Sequence, residues 1–334
     1  MNMKKDSKAL LNGASKVKSF LERYSKKRII LSALAVLLAV VLLFQCAAVA
    51  AAYHFALTHS GARSFKSKDG SSVLGNEEEN AAWLESVSEE MSLTSYDGLK
   101  LNAYYIKNEN VSSSYAVLCH AYAESAASMA EYAKHYYDLG FNILLPDARA
   151  HGKSEGKYIG MGWEDRLDLL KWVDMIVEKD ADARILLHGV SLGGAAVLAA
   201  SGESLPQNVR CIISDSAWES EWEEFKYQAK ESFSLPSFPV LYMESLYVKL
   251  RTGRSLKVAD ISSQVKKSKT PTLFIHGEAD TVVPITQCNR LFDSCFVEKE
   301  QYIAKNAGHC EAAFKDSEKY WAKVDRFMLK HFSL

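Results

Sequence analysis

The chain has 334 residues, of which 48% are hydrophobic, so it can bury a sizeable core in one large domain or two. Its 40 basic and 41 acidic residues leave a formal net charge of −1. This balance provides no overall field that would recruit nucleic acid, and we expect no nucleic-acid partner. The hydrophobic content also excludes an intrinsically disordered chain.

The N-terminus predicts a membrane anchor. An uncharged stretch over residues 29–53 follows a segment, residues 1–28, that is rich in lysine and arginine. A helix of roughly 25 residues rises about 37 Å, enough to cross a hydrocarbon core of about 30 Å. The basic cluster outweighs the cations after the stretch, so the positive-inside rule predicts a cytoplasmic tail at 1–28, a transmembrane helix at 29–53 and an extracytoplasmic remainder.

A cleavable signal peptide is the alternative, because Ala48-Val49-Ala50 resembles a small-residue cleavage site. The basic and apolar regions are both long for a signal peptide, which favours an uncleaved, single-pass anchor in the cell membrane. Cys46 lies inside the span, and Gln45 before it is not the small residue of a lipoprotein site. Because the other cysteines number five, which is odd, the sequence predicts no disulfide scaffold.

Residues 54–76 are rich in serine, glycine and lysine and predict a stalk. The catalytic domain is expected at 77–334, opening with a helix over 77–90. A hairpin-like segment then follows over Met91 to Lys107, with its turn at Asp97-Gly98.

Strands and helices alternate in the rest of the chain, which indicates a mainly parallel sheet. A longer region from Trp218 to Lys257, interrupted by two prolines, exceeds a simple connection and predicts a helical insertion at about 217–257. Strands are expected at residues 115–119, 142–145, 184–187, 209–214, 272–275 and 301–303, and helices at 127–139, 163–178 and 315–330.

One motif carries the chemistry. Gly189-Val190-Ser191-Leu192-Gly193 follows an apolar run and precedes a helix former rich in small residues. Strand, sharp turn and helix in that order predict a nucleophile elbow that raises Ser191 above the end of the sheet. The pentapeptide alone is a weak signal, but Asp280, in a strand-end loop, and His309, in a glycine-led loop, follow it in the chain order that such a site requires.

With these motifs, the chain resembles the α/β-hydrolase family from about Met91 to the C-terminus. The stretch Pro146 to Ser154 resembles the D-x-R-G-H-G-x-S element of single-pass, membrane-anchored serine hydrolases, a branch that includes esterases, lipases and peptidases. The resemblance implies an α/β-hydrolase fold, with a mainly parallel central sheet flanked by helices, behind one N-terminal transmembrane helix. It implies no metal and no organic cofactor.

A serine hydroxyl needs a base within hydrogen-bond reach, and the base needs an orienting carboxylate. We assign these catalytic roles to Ser191, His309 and Asp280. Two other acids compete for the third role: Glu278, in the same loop, and Asp215, at the end of a neighbouring strand. The family resemblance favours Asp280.

The oxyanion hole needs two backbone amides. The resemblance places one at Leu192 and the other at Tyr122, in the Cys119-His120-Ala121-Tyr122 element, where His120 is a structural residue. Ala121 and Ala150 stand where the family has glycine, so each adds a Cβ where backbone freedom is usual.

Several other residues receive structural interpretations. Arg149 and His151 are expected to brace a loop beneath the site, and His188 to lie in the core. The aromatic cluster of Trp218, Trp222, Phe225 and Tyr227 is compatible with an acyl pocket or with helix packing.

The sequence thus predicts a membrane-anchored serine hydrolase that cleaves carboxylic esters or thioesters of a small or lipid-like acyl substrate. A serine peptidase or aminopeptidase is the alternative within the same chemistry. A non-catalytic binding protein with this fold is the alternative from another class, suggested by the two alanines.

Overall fold

The computed structural model describes residues 3–58 and 77–332, so the part of the predicted stalk at 59–76 lies outside the described residues. The chain divides into two compact units, Met1–Ala51 and Ala52–Leu334. Helix α1 (Met3–Leu57) carries one stretch, within Lys18–Leu57, that is long and apolar enough to cross a membrane. The helix continues past residue 54, where the stalk was expected to begin.

The second unit is built on an eight-stranded sheet in the order β1-β2-β4-β3-β5-β6-β7-β8. Only β1 with β2 and β2 with β4 pair antiparallel; the other neighbours are parallel. This confirms the predicted fold class, a mainly parallel sheet flanked by helices. The strands are β1 (Glu89–Thr94), β2 (Lys100–Ile106), β3 (Ser114–Cys119), β4 (Asn142–Pro146), β5 (Arg184–Val190), β6 (Val209–Asp215), β7 (Thr272–Gly277) and β8 (Lys299–Ala304).

Ten further α-helices surround this sheet, counted over the residues that the structure describes. They are α2 (Glu77–Val87), α3 (Ala130–Asp138), α4 (Asp165–Lys179), α5 (Leu192–Ala200), α6 (Glu221–Phe233), α7 (Val240–Thr252), α8 (Ile261–Val265), α9 (Ile285–Ser294), α10 (Ala312–Lys315) and α11 (Ser317–Phe332). Helices α6 and α7 fall within the helical insertion expected between β6 and β7.

The core has two layers, because successive strand residues point to opposite faces of the sheet. In β5, Leu187 packs in one layer with Trp172 of α4, and Leu186 packs in the other with Tyr320 of α11. Both faces of the central strands are therefore apolar, as their continuous hydrophobic runs require. The parallel strands end together along one edge, and the predicted site residues follow those ends.

Candidate active site

Ser191 occupies a strained turn between β5 and α5. Its φ of 54° and ψ of −109° lie in a region that a residue with a side chain rarely adopts. Such strain costs on the order of 1–3 kcal/mol and persists only where the surrounding structure enforces it. A Cβ at Gly189 would lie 2.1 Å from the Gly193 carbonyl oxygen, and one at Gly193 would lie 2.1 Å from the Cys119 carbonyl oxygen. Gly189 is therefore required by the close crossing of β5 and α5, and Gly193 by the close approach of α5 to the end of β3.

Ser191, His309 and Asp280 form a continuous hydrogen-bonded chain. The Ser191 Oγ lies 2.9 Å from His309 Nε2, and His309 Nδ1 lies 2.7 Å from Asp280 Oδ2. A carboxylate only accepts hydrogen bonds, so in the neutral imidazole Nδ1 carries the proton and Nε2 accepts from the serine hydroxyl. The structure thus brings together three residues from three separate loops at the carboxyl edge of the sheet.

Backbone amides hold the Asp280 carboxylate in place. Its Oδ1 accepts hydrogen bonds from the N–H groups of Val282 and Val283, both at 2.9 Å. Helix α6 braces the same loop: Tyr227 Oη donates to the Thr281 carbonyl at 3.2 Å, and Gln228 Nε2 donates to the Val282 carbonyl at 2.7 Å. Helix α6, in the insertion, therefore holds the loop that carries Asp280 in place.

The surroundings of His309 shift its protonation. Burial opposes the charged imidazolium, but the hydrogen-bonded Asp280 carboxylate outweighs this effect and raises the pKa of His309 above its ordinary value of 6.5. The Cys310 thiol is buried, and burial raises its own pKa. The imidazole is therefore a stronger base than a histidine in water.

The two rival acids are engaged elsewhere. Asp215 is fully buried at the end of β6, where its Oδ1 accepts a hydrogen bond from Ser216 Oγ at 2.8 Å. Burial raises the pKa of Asp215, which favours its neutral form. Glu278 accepts a hydrogen bond from the Asn306 N–H at 3.1 Å. Of the three acids, only Asp280 lies within hydrogen-bond distance of the His309 ring in the described part of the chain.

The backbone amides of Leu192 and Tyr122 are the two predicted oxyanion donors. Leu192 is the first residue of α5, and Tyr122 lies in the loop after β3. Within residues 3–58 and 77–332, neither N–H donates to a protein group. The His120 carbonyl accepts from the Gly193 N–H at 3.1 Å and so ties the β3 loop to the elbow.

The two alanines that replace glycines behave differently. Ala150 adopts a left-handed φ of 59°, so the strain expected there is present. Ala121 is not among the described residues with positive φ. Instead, Ala123 takes φ of 60° in the same loop, and its N–H donates to His151 Nε2 at 3.2 Å. The Cβ of Ala121 therefore adds no backbone strain beside Tyr122.

The remaining polar candidates are structural. Arg149 is 1% exposed, and its guanidinium binds Asp168 at 2.8 Å and Asp97 at 3.0 Å. His188 lies between the hydroxyls of Tyr136, at 2.9 Å, and Tyr320, at 3.1 Å. Burial lowers the pKa of His188 to about 3, so it remains neutral.

The aromatic cluster after β6 is largely packing. Trp218 is buried in the core, and Trp222 and Phe225 pack against the same core layer. The Trp222 ring meets Tyr242 of α7 edge-on, with their centroids 5.1 Å apart. The helix-packing interpretation of Trp222 therefore has direct support in its contacts.

The sequence interpretation missed one part of the site's surroundings, the last turn of α1. Tyr122 Oη donates a hydrogen bond to the Ala56 carbonyl at 2.8 Å, and the Ile159 N–H donates to the Leu57 carbonyl at 2.9 Å. Tyr53 and Leu57 are 6% and 1% exposed within the catalytic core. Their spacing of four residues places both side chains on one face of a helix and could have indicated packing against a domain. In the sequence, however, this pattern is continuous with the apolar run of the predicted span.

Residues 117–235 match the model of the family described as alpha/beta hydrolase fold. The chain is 26% identical over 269 residues to the uncharacterized protein YqkD of Bacillus subtilis, covering 79% of this chain and 88% of that protein. It is 24% identical over 245 residues to the uncharacterized membrane protein YNL320W of Saccharomyces cerevisiae, covering 72% of this chain and 80% of that protein.

Among solved structures, the esterase Pf2001 of Pyrococcus furiosus superposes with a TM-score of 0.62 at 22% sequence identity. The match covers 75% of this chain and 94% of the esterase. At this level of identity the likeness shows a shared fold.

Proposed function

We propose that this chain, which has the α/β-hydrolase fold and matches that family's model over residues 117–235, is a serine hydrolase that cleaves carboxylic esters or thioesters through a covalent acyl-enzyme. The observation that carries this proposal is the hydrogen-bonded chain Ser191–His309–Asp280 at a strained elbow. Strained backbone beside an aligned base is a feature of activated nucleophiles.

In the first half-reaction, Ser191 Oγ attacks the acyl carbonyl carbon while His309 Nε2 takes the hydroxyl proton. Asp280 stabilises the resulting imidazolium through Nδ1. The carbonyl oxygen, now negatively charged, accepts hydrogen bonds from the amides of Leu192 and Tyr122. The tetrahedral intermediate then expels the alcohol or thiol, which takes its proton from His309.

In the second half-reaction, a water molecule gives a proton to His309 Nε2 and attacks the acyl carbon. The same two amides bind the second oxyanion. Collapse of this intermediate returns the proton to Ser191 Oγ and releases the carboxylic acid. The cycle uses no group outside the chain and the substrates.

We further propose that α1 anchors the enzyme in the cell membrane as a single pass, with the N-terminus cytoplasmic and the hydrolase extracytoplasmic. The support is the apolar stretch within Lys18–Leu57 and the excess of basic residues before it. A lipid-like acyl substrate would suit an enzyme held at a membrane.

Labelling with a fluorophosphonate probe tests the nucleophile, using the full-length chain in detergent so that Tyr53 to Leu57 stay present. We expect the wild type to label and Ser191→Ala and His309→Ala to remain unlabelled. Ser214→Ala is the matched control, because its buried hydroxyl bonds the Gly194 carbonyl and should leave labelling intact. A folded wild type that does not label would indicate a non-catalytic binding protein.

Turnover on a panel of esters, thioesters and aminoacyl amides then separates the bond classes. Faster cleavage of esters and thioesters supports the proposal, whereas selective cleavage of the amides would assign the alternative peptidase function.

A further inference from the structure

Helix α7 presents an apolar stripe to the outside of the catalytic unit. Tyr242, Leu246 and Leu250 recur every four residues along one face, and Phe238 precedes them. Their exposed fractions are 50%, 60% and 76%, and that of Phe238 is 75%. We call these four residues the α7 stripe. Large apolar side chains exposed in a row are unusual on a protein surface in contact with water and mark an interaction site.

Helix α7 buries Leu241 and Val248, as a surface helix does, but it also buries its carboxylate and exposes two leucines. Glu244, the acidic residue of this helix, is buried, and among the described residues neither of its carboxylate oxygens has a hydrogen-bond partner. Leu246 and Leu250 face outward instead. A water-exposed helix places its carboxylate outside and its leucines inside. The surroundings of the α7 stripe are therefore expected to be apolar.

Other residues of α7, outside the stripe, contact the last residue of the predicted membrane span. The ring of Tyr247, on α7, meets Tyr53 edge-on with a centroid separation of 5.4 Å, and the Arg251 guanidinium lies 5.8 Å from the same Tyr53 ring. These contacts all lie within the unit that begins at Ala52. Tyr53 is the last residue of the uncharged stretch, and its side chain is buried in the catalytic unit, so α7 lies next to the point where the predicted span ends.

Basic side chains accompany the stripe. Lys249 and Arg251 are exposed on α7, and the exposed Lys257 places its Nζ 4.8 Å from the Tyr242 ring centroid. With Glu244 buried, the outward face of α7 is both apolar and cationic. Aromatic and leucine side chains bordered by lysine and arginine are typical of helices that lie in the headgroup region of anionic bilayers.

We propose that the α7 stripe inserts into the lipid surface of the membrane that holds α1, so that the insertion beside the active site is itself a membrane-binding element. Lys249, Arg251 and Lys257 then face anionic headgroups. The inference rests on the membrane anchoring under the proposed function and is independent of the hydrolase chemistry.

Lipid-quenching fluorescence on the full-length chain tests this proposal, in liposomes containing phosphatidylglycerol and a nitroxide-labelled lipid. A thiol-reactive fluorophore is attached at one of three sites: native Cys46, Leu246→Cys with Cys46→Ser, or Phe296→Cys with Cys46→Ser. The other five cysteines are buried. Phe296 is a matched control because it is also a highly exposed aromatic residue, at 77%. It precedes β8 and so lies at the edge where the parallel strands begin, whereas the insertion that contains α7 follows the edge where they end. Leu250→Cys replaces Leu246→Cys if that variant does not fold.

We expect severalfold stronger quenching at Cys46 and residue 246 than at residue 296. Quenching at Cys46 together with an unquenched residue 246 would overturn the stripe proposal and leave the anchor standing. No quenching at Cys46 would overturn the proposal that α1 spans the membrane, and the stripe proposal would fall with it. A label at residue 246 that is protected from water-soluble quenchers but untouched by the nitroxide lipid would assign the stripe to a second copy of the chain, which also overturns the proposal.

Discussion

Tyr122 and Ala56 are joined by a hydrogen bond of 2.8 Å from the tyrosine hydroxyl to the alanine carbonyl. The bond ties the loop after β3, which carries one of the two proposed oxyanion amides, to the last turn of α1. We therefore expect the Tyr122 hydroxyl to position its own backbone N–H.

Tyr122→Phe tests this role, because it removes the hydroxyl and keeps the ring and the amide. A neutral hydrogen bond contributes about 0.5–1.5 kcal/mol, so we expect kcat on an ester to fall by up to about tenfold with a smaller change in KM. Tyr302→Phe, in β8, is the control and should retain wild-type kcat. An unchanged kcat in Tyr122→Phe would show that the hydroxyl does not position the amide.

The variants Asp280→Asn and Asp215→Asn should differ sharply in kcat. Asparagine at position 280 cannot stabilise the imidazolium or hold the same tautomer of His309, and the expected loss in kcat is about 10⁴-fold. Asp215 makes no hydrogen bond to His309, and asparagine at this position can still accept the hydrogen bond from Ser216 Oγ, so we expect kcat to stay within about tenfold. Initial-rate kinetics on one ester measures both variants. A larger loss of kcat in Asp215→Asn than in Asp280→Asn would assign the role of the catalytic acid to Asp215.

The pH dependence follows from the raised pKa of His309. The neutral imidazole is the active base, and its fraction falls as pH drops through the folded-state pKa. Because this pKa lies above 6.5, kcat/KM should rise with pH through an apparent pKa above that value. A pH profile of kcat/KM on a substrate that does not ionise measures it. A midpoint below 6.5 would contradict the assigned environment of His309.

Arg149→Ala should destabilise the fold without removing the chemistry. The change leaves buried Asp168 without its cationic partner, and breaking a buried ion pair costs about 3–5 kcal/mol in the free energy of unfolding. Denaturant unfolding measures this loss, and fluorophosphonate labelling of the folded fraction should persist. Normal stability combined with lost labelling would instead place Arg149 in the catalytic machinery.

Much of the fold was predictable, because apolar runs and their turns are local signals. The elbow around Ser191 is partly such a signal, since Gly189 is required by a strand and a helix that are adjacent in sequence. Gly193 is instead required by its contact with Cys119 of β3, which is distant in the chain. The choice between Asp280 and Asp215 was harder, since both follow strand ends at the same edge. A hydrogen bond of 2.7 Å to His309 depends on the shape of one loop, which no periodicity encodes.

Contacts between distant segments were not predictable from local patterns. Ala56 and Tyr122 are far apart in the chain, and their hydrogen bond depends on tertiary packing. The composition of the segment after residue 54 suggested a stalk, whereas Leu57 is buried in the catalytic core. The α7 stripe was likewise not predictable, because apolar residues occur on most sides of this helix and the sequence does not show which of them face inward.

The burial of Tyr53 and Leu57 bears on how the enzyme could be shed from its anchor. A protease that cut anywhere in residues 59–76 would sever the chain after these residues, which would stay packed in the core of the hydrolase. The nicked enzyme would then remain attached to its anchor without a covalent link. Release into solution would need a cut before Tyr53, inside the apolar segment, or the loss of a piece of the folded core.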